Sequence, residues 1–344
     1  MRSFNKANNH FIDIKSIIVF HINYRDVFNA PVLIIDLYKW INASSSDIRF
    51  AIDELIKEKS ISELNGYLVV AGKEGIIADQ PLKIQLSEKL TKKGERLVRF
   101  IKHIPFIKYV GISGSIAAKN PTTNTNGHVD LDLFIICSDS SLWLLFLFER
   151  FYTNLEQLIK GDHFYCFNYV TEESFLTISN KSFYTASEII NLQTLYDNSV
   201  IEQFLESNNW YLKYYSPKES ELSTKVIQSK RTKVNPLKWL NVFFFYAYNA
   251  FRAMKNLDIK KLFLSKREFD PYIRHNYQRI SNPNGGYENV IRDKFVQLMH
   301  RNFQNYYDDQ VVDFLFPDSI IQKNIDQLVD YSANEIDDLF TKYS

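Results

Sequence analysis

A mixed α/β fold of the α+β kind, a mixed sheet with flanking helices, follows from three features of the sequence. Strand-like apolar runs recur at 106–113, 128–137 and 163–171, with an apolar helical run at 141–159 between the last two. A helix, helix, hairpin pattern fills the first 75 residues. Beyond Tyr215 the chain turns helical and basic. These shifts divide it into an N-terminal module (1–78), a connecting helix (79–104), a sheet-bearing domain (105–215) and a helical C-terminal domain (216–344). A single core stops growing at roughly 250 to 300 residues, so 344 residues predict more than one unit.

In the N-terminal module, "PVLIIDLYKWIN" (31–42) predicts a short helix with Pro31 in its first turn. "SSSDIRFAIDELIKEKS" (44–60) opens on a serine cap, and Ile48, Ala51, Ile52, Leu55 and Ile56 recur at helical spacing. "ISEL-NG-YLVV" then reads as a hairpin in which Asn65 and Gly66 supply the two positive-φ residues. That order is a winged-helix pattern. From Asp47 to Lys59, however, four acids face three bases, whereas groove binding calls for a cationic surplus. A structural or protein-binding module is favoured over a DNA reader.

"PLKIQLSEKLTKKGERLVRFIKHI" (81–104) is a charged amphipathic helix. Past residue 215, Lys225, Lys230, Arg231, Lys233 and Lys238 lead into "NPLKWLNVFFFYAYNAFRAMKN" (235–256). Its stripe of Lys238, Asn241, Asn249, Arg252 and Asn256 favours a core helix with a wet polar face; contact with a membrane surface is the other reading. "SNPNGG" (281–286) and "FPDS" (316–319) divide the remaining helices.

Hydrophobic residues make up 45% and charged residues 24%, with a net charge of +1, so bulk electrostatics names no partner. Two cysteines, Cys137 and Cys166, lack metal-ligand spacing and fit a cytoplasmic setting. Asp13 and Lys15 interrupt the apolar stretch a signal peptide needs, and no run reaches the ~18 residues of a membrane span.

The chemistry concentrates in "GISGSIAAKN" (111–120) and "HVDLDLFIIC" (128–137). A Gly-Ser at the end of a strand, opening a helix, presents amides and a hydroxyl to an anion. Asp130 and Asp132, two apart on a strand, send both carboxylates to one face, where a hard divalent cation relieves their repulsion. A phosphate cradle followed by a metal-holding Asp-x-Asp is a coherent site for phosphoryl or nucleotidyl transfer.

Gly114-Ser115 followed by Asp130-Leu131-Asp132 resembles the signature of the DNA polymerase β-type nucleotidyltransferase superfamily. More closely, Pro105 through "FYTASEIINL" (183–192) resembles uncharacterised bacterial nucleotidyltransferase-domain proteins, in which a small helical module precedes the site and an Asn-Tyr strand and a Thr-Ala-x-Glu helix start follow it. The similarity covers roughly residues 20–215. It implies a nucleotidyltransferase fold, nucleoside triphosphate (NTP) phosphates on Gly114 and Ser115, and Mg2+ or Mn2+ on Asp130 and Asp132. It also implies a third carboxylate on a neighbouring strand.

That position is occupied by Asn168, whose amide ligates Mg2+ but is no base; Asp162, Glu172 and Glu173 at the strand ends are the carboxylates that remain. The 14-residue spacer from Ser115 to Asp130 is slightly longer than the pattern. Lys119 and Lys181 are candidate triphosphate partners, His128 a loop residue, and Thr185-x-x-Glu188 with Ser187 reads as a capping box. Arg292 to His300 and Arg267 to His275 each miss the spacing of the helical ribonucleases that accompany small nucleotidyltransferases.

The expected function is transfer of a nucleoside monophosphate from an NTP to an unidentified acceptor with release of pyrophosphate. The alternative is a catalytically weak or inactive domain that binds a nucleotide or a protein partner. Acceptor and base preference are not legible in the sequence.

Overall fold

The computed structural model describes residues 13–122, 129–145, 147–149, 152, 165–178, 180–215, 239–241, 243–244, 276–278 and 286–317. His128, Asp162, the basic lead-in to residue 238 and the polar stripe beyond Asn241 lie outside them.

Asp13 caps α1 (Ile14–Val27), its carboxylate accepting the Ser16 amide at 2.7 Å. Every residue from Ile17 to Tyr24 is buried, so α1 is a central helix and not an amphipathic surface one. Pro31 does not open a helix. It precedes a two-residue strand, β1 (Val32–Leu33), and α2 spans Ile34–Trp40. Pairing of Val32 with Leu68 and Leu33 with Tyr67 holds the start of the expected helix extended.

Ser44 caps α3 (Ser45–Lys57), which buries Ile48, Ala51, Ile52 and Leu55 as their spacing requires. Asn65 (φ 53°) and Gly66 (φ 77°) turn β2 (Ile61–Leu64) into β3 (Tyr67–Val70), completing an antiparallel sheet of order β1-β3-β2. The short α4 (Gly75–Ala78) leads to α5 (Gln80–Ile101), close to its expected bounds.

A five-stranded mixed sheet follows, in the order β7-β4-β5-β6-β8. Its members are β4 (Ile107–Ile112), β5 (Leu131–Cys137), β6 (Tyr165–Glu172), β7 (Gln193–Asp197) and β8 (Asn276–Gln278). Only β5 and β6 run parallel. Further flanking helices are α6 (Gly114–Ala117), α7 (described at 142–145 and 147–149), α8 (Phe183–Asn191) and α9 (Ile201–Ser207). Near the C-terminus come α10 (Gly286–Asn302) and α11 (Asp309–Leu315).

Alternation along β5 separates two cores. Leu131, Leu133, Ile135 and Cys137 pack with Leu90, Leu97, Val98 and Ile101 of α5. Phe134 and Ile136 face the other way, into a core that α8 and α9 share with α1, α3, α10 and α11. The N-terminal and C-terminal elements are therefore joined through one apolar interior. A buried polar cluster ties them further: Asp26 on α1 accepts Lys73 at 2.7 Å and the Asn302 side-chain amide at 3.2 Å.

In the basic aromatic run, Asn241 is buried and accepts the backbone amides of Trp143 and Leu144 at 2.7 and 3.3 Å, while Trp239 and Phe243 are exposed. A polar stripe in water is thus reversed at this position, because Asn241 caps the start of α7. Among the described residues, no helix is long and apolar enough to cross a membrane.

Candidate functional site

Ser113 donates its amide to the Asp132 carbonyl at 2.9 Å, extending the β4–β5 ladder by one residue and laying the next residue on Asp132. That residue is Gly114, at φ +67°, where the chain leaves the strand for α6. A Cβ there would stand 2.3 Å from Asp132 Oδ2. Glycine is required twice, for its left-handed backbone and for the space the carboxylate occupies. Gly-Ser and Asp-x-Asp, separate in sequence, thus meet in contact.

Asp130 immediately precedes β5 and is half-buried; Asp132 lies on the face of Phe134 and Ile136, opposite Leu131. Burial, then Glu188, then Asp130 push the Asp132 carboxyl up to about 7. Glu188 is the residue that sequence reasoning misassigned. Its Oε2 accepts the Gly114 amide hydrogen at 2.9 Å, and burial holds its own carboxyl above the ordinary range despite that bond.

The capping role expected of Thr185-x-x-Glu188 belongs instead to Ser182, whose hydroxyl accepts the Thr185 amide. Ser187 lies inside α8, donating to the Phe183 carbonyl at 2.8 Å. Glu188 is the single charged side chain of α8, which was the available signal, since ionised groups are rarely buried without a partner.

Asn168 is the extra residue of a bulge in β6: Phe167 pairs with Leu133 and Tyr169 with Phe134, leaving Asn168 between them. Its side-chain amide donates to the Ser113 hydroxyl at 3.4 Å, which brings it to the strand end that carries Gly114. Asp132 and Cys166 are register partners.

Glu172 and Glu173 lie at the opposite end. Glu172 pairs in register with Cys137, is buried, and accepts the amides of Ser141 and Leu142 at 3.0 and 3.2 Å. Glu173 is 3.8 Å from Lys108. Neither joins Asp130 and Asp132. Glu172 caps a helix because the first turn of α7 has amides that no intrahelical carbonyl reaches.

Ser115 is half-buried within α6. Lys119 follows α6 at the end away from Gly114, and lines a groove of about 200 Å³ with Thr91, Lys92, Glu95 and Gln193. Lys181 is exposed just before α8, its carbonyl accepting the Tyr214 hydroxyl at 2.9 Å.

Asp130 and Asp132 are hard oxygen donors of the kind a divalent cation takes, and they lie within electrostatic reach of one another. Burial, then the like charge of Glu188 and Asp130, raise Asp132, and a cation would offset them. Among the described residues, no group of three or more His, Cys, Asp or Glu side chains is arranged to hold a metal ion. Comparison of the chain with protein-family models, with curated proteins and with solved structures finds no match to any of them.

Proposed function

We propose that the chain is a nucleotidyltransferase that moves a nucleoside monophosphate from an NTP to a hydroxyl or phosphate acceptor. In that step the acceptor oxygen bonds to the α-phosphorus, the bond from that phosphorus to the α–β bridging oxygen breaks, pyrophosphate leaves, and the proton of a hydroxyl acceptor passes to solvent. The contact between Gly114 and Asp132 carries this reading, because it joins an anion-accepting turn to an Asp-x-Asp strand within one site.

Gly114 and Ser115 bind the β- and γ-phosphates through backbone N–H groups and a hydroxyl. Asp130 and Asp132 hold Mg2+ or Mn2+, which when bound supplies charge neutralisation of the triphosphate. Asn168, at the strand end beside Ser113, orients the neighbouring turn. The mixed sheet with helices on both faces supports the nucleotidyltransferase fold.

Two observations favour the second reading, a domain that binds nucleotide or a protein partner with little or no turnover. The strand beside Asp132 offers Asn168 where a carboxylate is expected, and Glu188 already occupies the Gly114 amide. The N-terminal elements support a winged-helix adaptor: helix, short strand, two helices and a hairpin, with β1 on β3. Arg49 on α3 is committed to Asp53 and Glu63 at 2.6 and 2.7 Å, and Phe50 beside it is exposed, which suits a protein partner better than DNA.

Pyrophosphate release from ATP, GTP, CTP and UTP with Mg2+ tests the choice. Release that Asp130→Ala and Asp132→Ala each abolish supports the enzyme. Nucleotide binding without release supports the second reading.

A further inference from the structure

Three backbone carbonyls at the carboxyl end of α6 are taken by side chains from three different elements. The Ala117 carbonyl accepts Gln193 Nε2 of β7 at 3.4 Å, Ala118 accepts Arg25 Nη2 of α1 at 3.2 Å, and Lys119 accepts Gln80 Nε2 of α5 at 3.0 Å. Arg25 also donates from Nε to the Pro31 carbonyl at 3.3 Å, so its planar fork spans the gap between the loop after α1 and the end of α6.

Asn120 makes a second tie beside it. Buried, it donates its amide to the Phe28 carbonyl at 2.9 Å and accepts Lys83 Nζ on Oδ1 at 2.7 Å. Its own backbone amide closes onto the Ser115 carbonyl at 2.8 Å. Ser115 is thus connected through Asn120 to the N-terminal elements by consecutive hydrogen bonds.

α6 has four residues, too few to hold its own position by helical hydrogen bonding. Gly114 at its start has no side chain to anchor it. Its near end is held by the Ser113–Asp132 ladder bond and by Glu188 on the Gly114 amide, and its far end from α1, the loop after it and the start of α5.

We infer that Arg25 and Asn120 are positioning residues for the Gly114–Ser115 turn, so that nucleotide binding in the sheet-bearing domain depends on the N-terminal unit. This rests on the function proposed above. Neither residue touches the nucleotide; both act by holding the turn against Asp132.

The test uses the full chain carrying Arg25→Gln, Arg25→Lys or Asn120→Asp. The last retains the Lys83 partner but turns an acceptor toward the Phe28 carbonyl, so Arg25→Lys, which keeps a charge and N–H donors, guards against a variant that fails to fold. Amide hydrogen exchange at Gly114–Ala118 without nucleotide reads the turn itself. Titration with whichever of ATP, GTP, CTP or UTP the wild type binds, with Mg2+, reads its competence.

Faster exchange confined to the turn, with the dissociation constant of that nucleotide raised about tenfold and partial recovery in Arg25→Lys, supports the inference. Folded Arg25→Gln and Asn120→Asp proteins that bind as the wild type does overturn it and leave the proposed function standing. A wild type that binds none of the four nucleotides removes that function, and this inference with it.

Discussion

The Glu188 carboxylate accepts the Gly114 amide hydrogen at 2.9 Å and lies within electrostatic reach of Asp132. One residue of α8 therefore touches both halves of the site. It occupies an N–H that the proposed function assigns to a phosphate oxygen, and adds negative charge where that function places a triphosphate.

Glu188→Gln keeps an acceptor for Gly114 and removes that charge. Affinity for the Mg2+ complex of the NTP is expected to tighten about tenfold, the scale of one moderately screened charge interaction. Isothermal titration checks it; weaker binding would instead mark the Glu188 charge as part of the machinery.

Gly114→Ala meets both a left-handed backbone and an oxygen at 2.3 Å from the new Cβ. A loss of about 1–3 kcal/mol in stability is expected from the backbone alone, together with loss of nucleotide binding. Denaturant unfolding measures the first. Adding Asp132→Ala to Gly114→Ala should recover part of the stability, since the obstructing oxygen is gone; a strictly additive double variant contradicts the contact.

Glu172→Ala removes the acceptor of two buried amides at the start of α7. The expected destabilisation is about 1–3 kcal/mol. Glu172→Gln retains the carbonyl oxygen and should keep stability and any transferase activity near wild type. A collapse of activity in a stable Glu172→Gln protein would return Glu172 to the catalytic site.

His21, among the rings of Trp40, Phe183 and Tyr215, is held neutral by burial, its pKa depressed from 6.5 to about 3. The unfolded chain binds a proton below about 6.5 that the folded chain refuses down to about 3. Its stabilising effect is thus complete above the unfolded value and is lost as pH falls. Across that window His21 should cost about 1.4 kcal/mol of stability per pH unit. Thermal melts from pH 7 to pH 4 measure it, and His21→Phe should flatten the acid limb.

Local patterns made much of the fold legible. The Asn65-Gly66 hairpin, the Ser44 cap and the apolar face of α3 are set by residues within a few positions of one another. Alternation in β5 alone places Asp132 opposite Leu131.

What was not legible depends on distant partners. β1 is extended because of β3, and the edge strands β7 and β8 are short runs whose pairing is tertiary. Glu172 and Asn241 both cap α7, from 31 and 98 residues away. Glu188 looked like a cap because Thr185 stands three residues before it; 74 residues of separation hid its partner, Gly114.

The most direct test of the central claim is calorimetric titration of ATP, GTP, CTP and UTP, with and without Mg2+, into the wild type and an Asp130→Ala/Asp132→Ala variant. The account expects Mg2+-dependent binding of at least one nucleotide, lost in the variant while its fold, read by circular dichroism, is kept. Binding that survives the double substitution, or no binding to well-folded wild type, would contradict it.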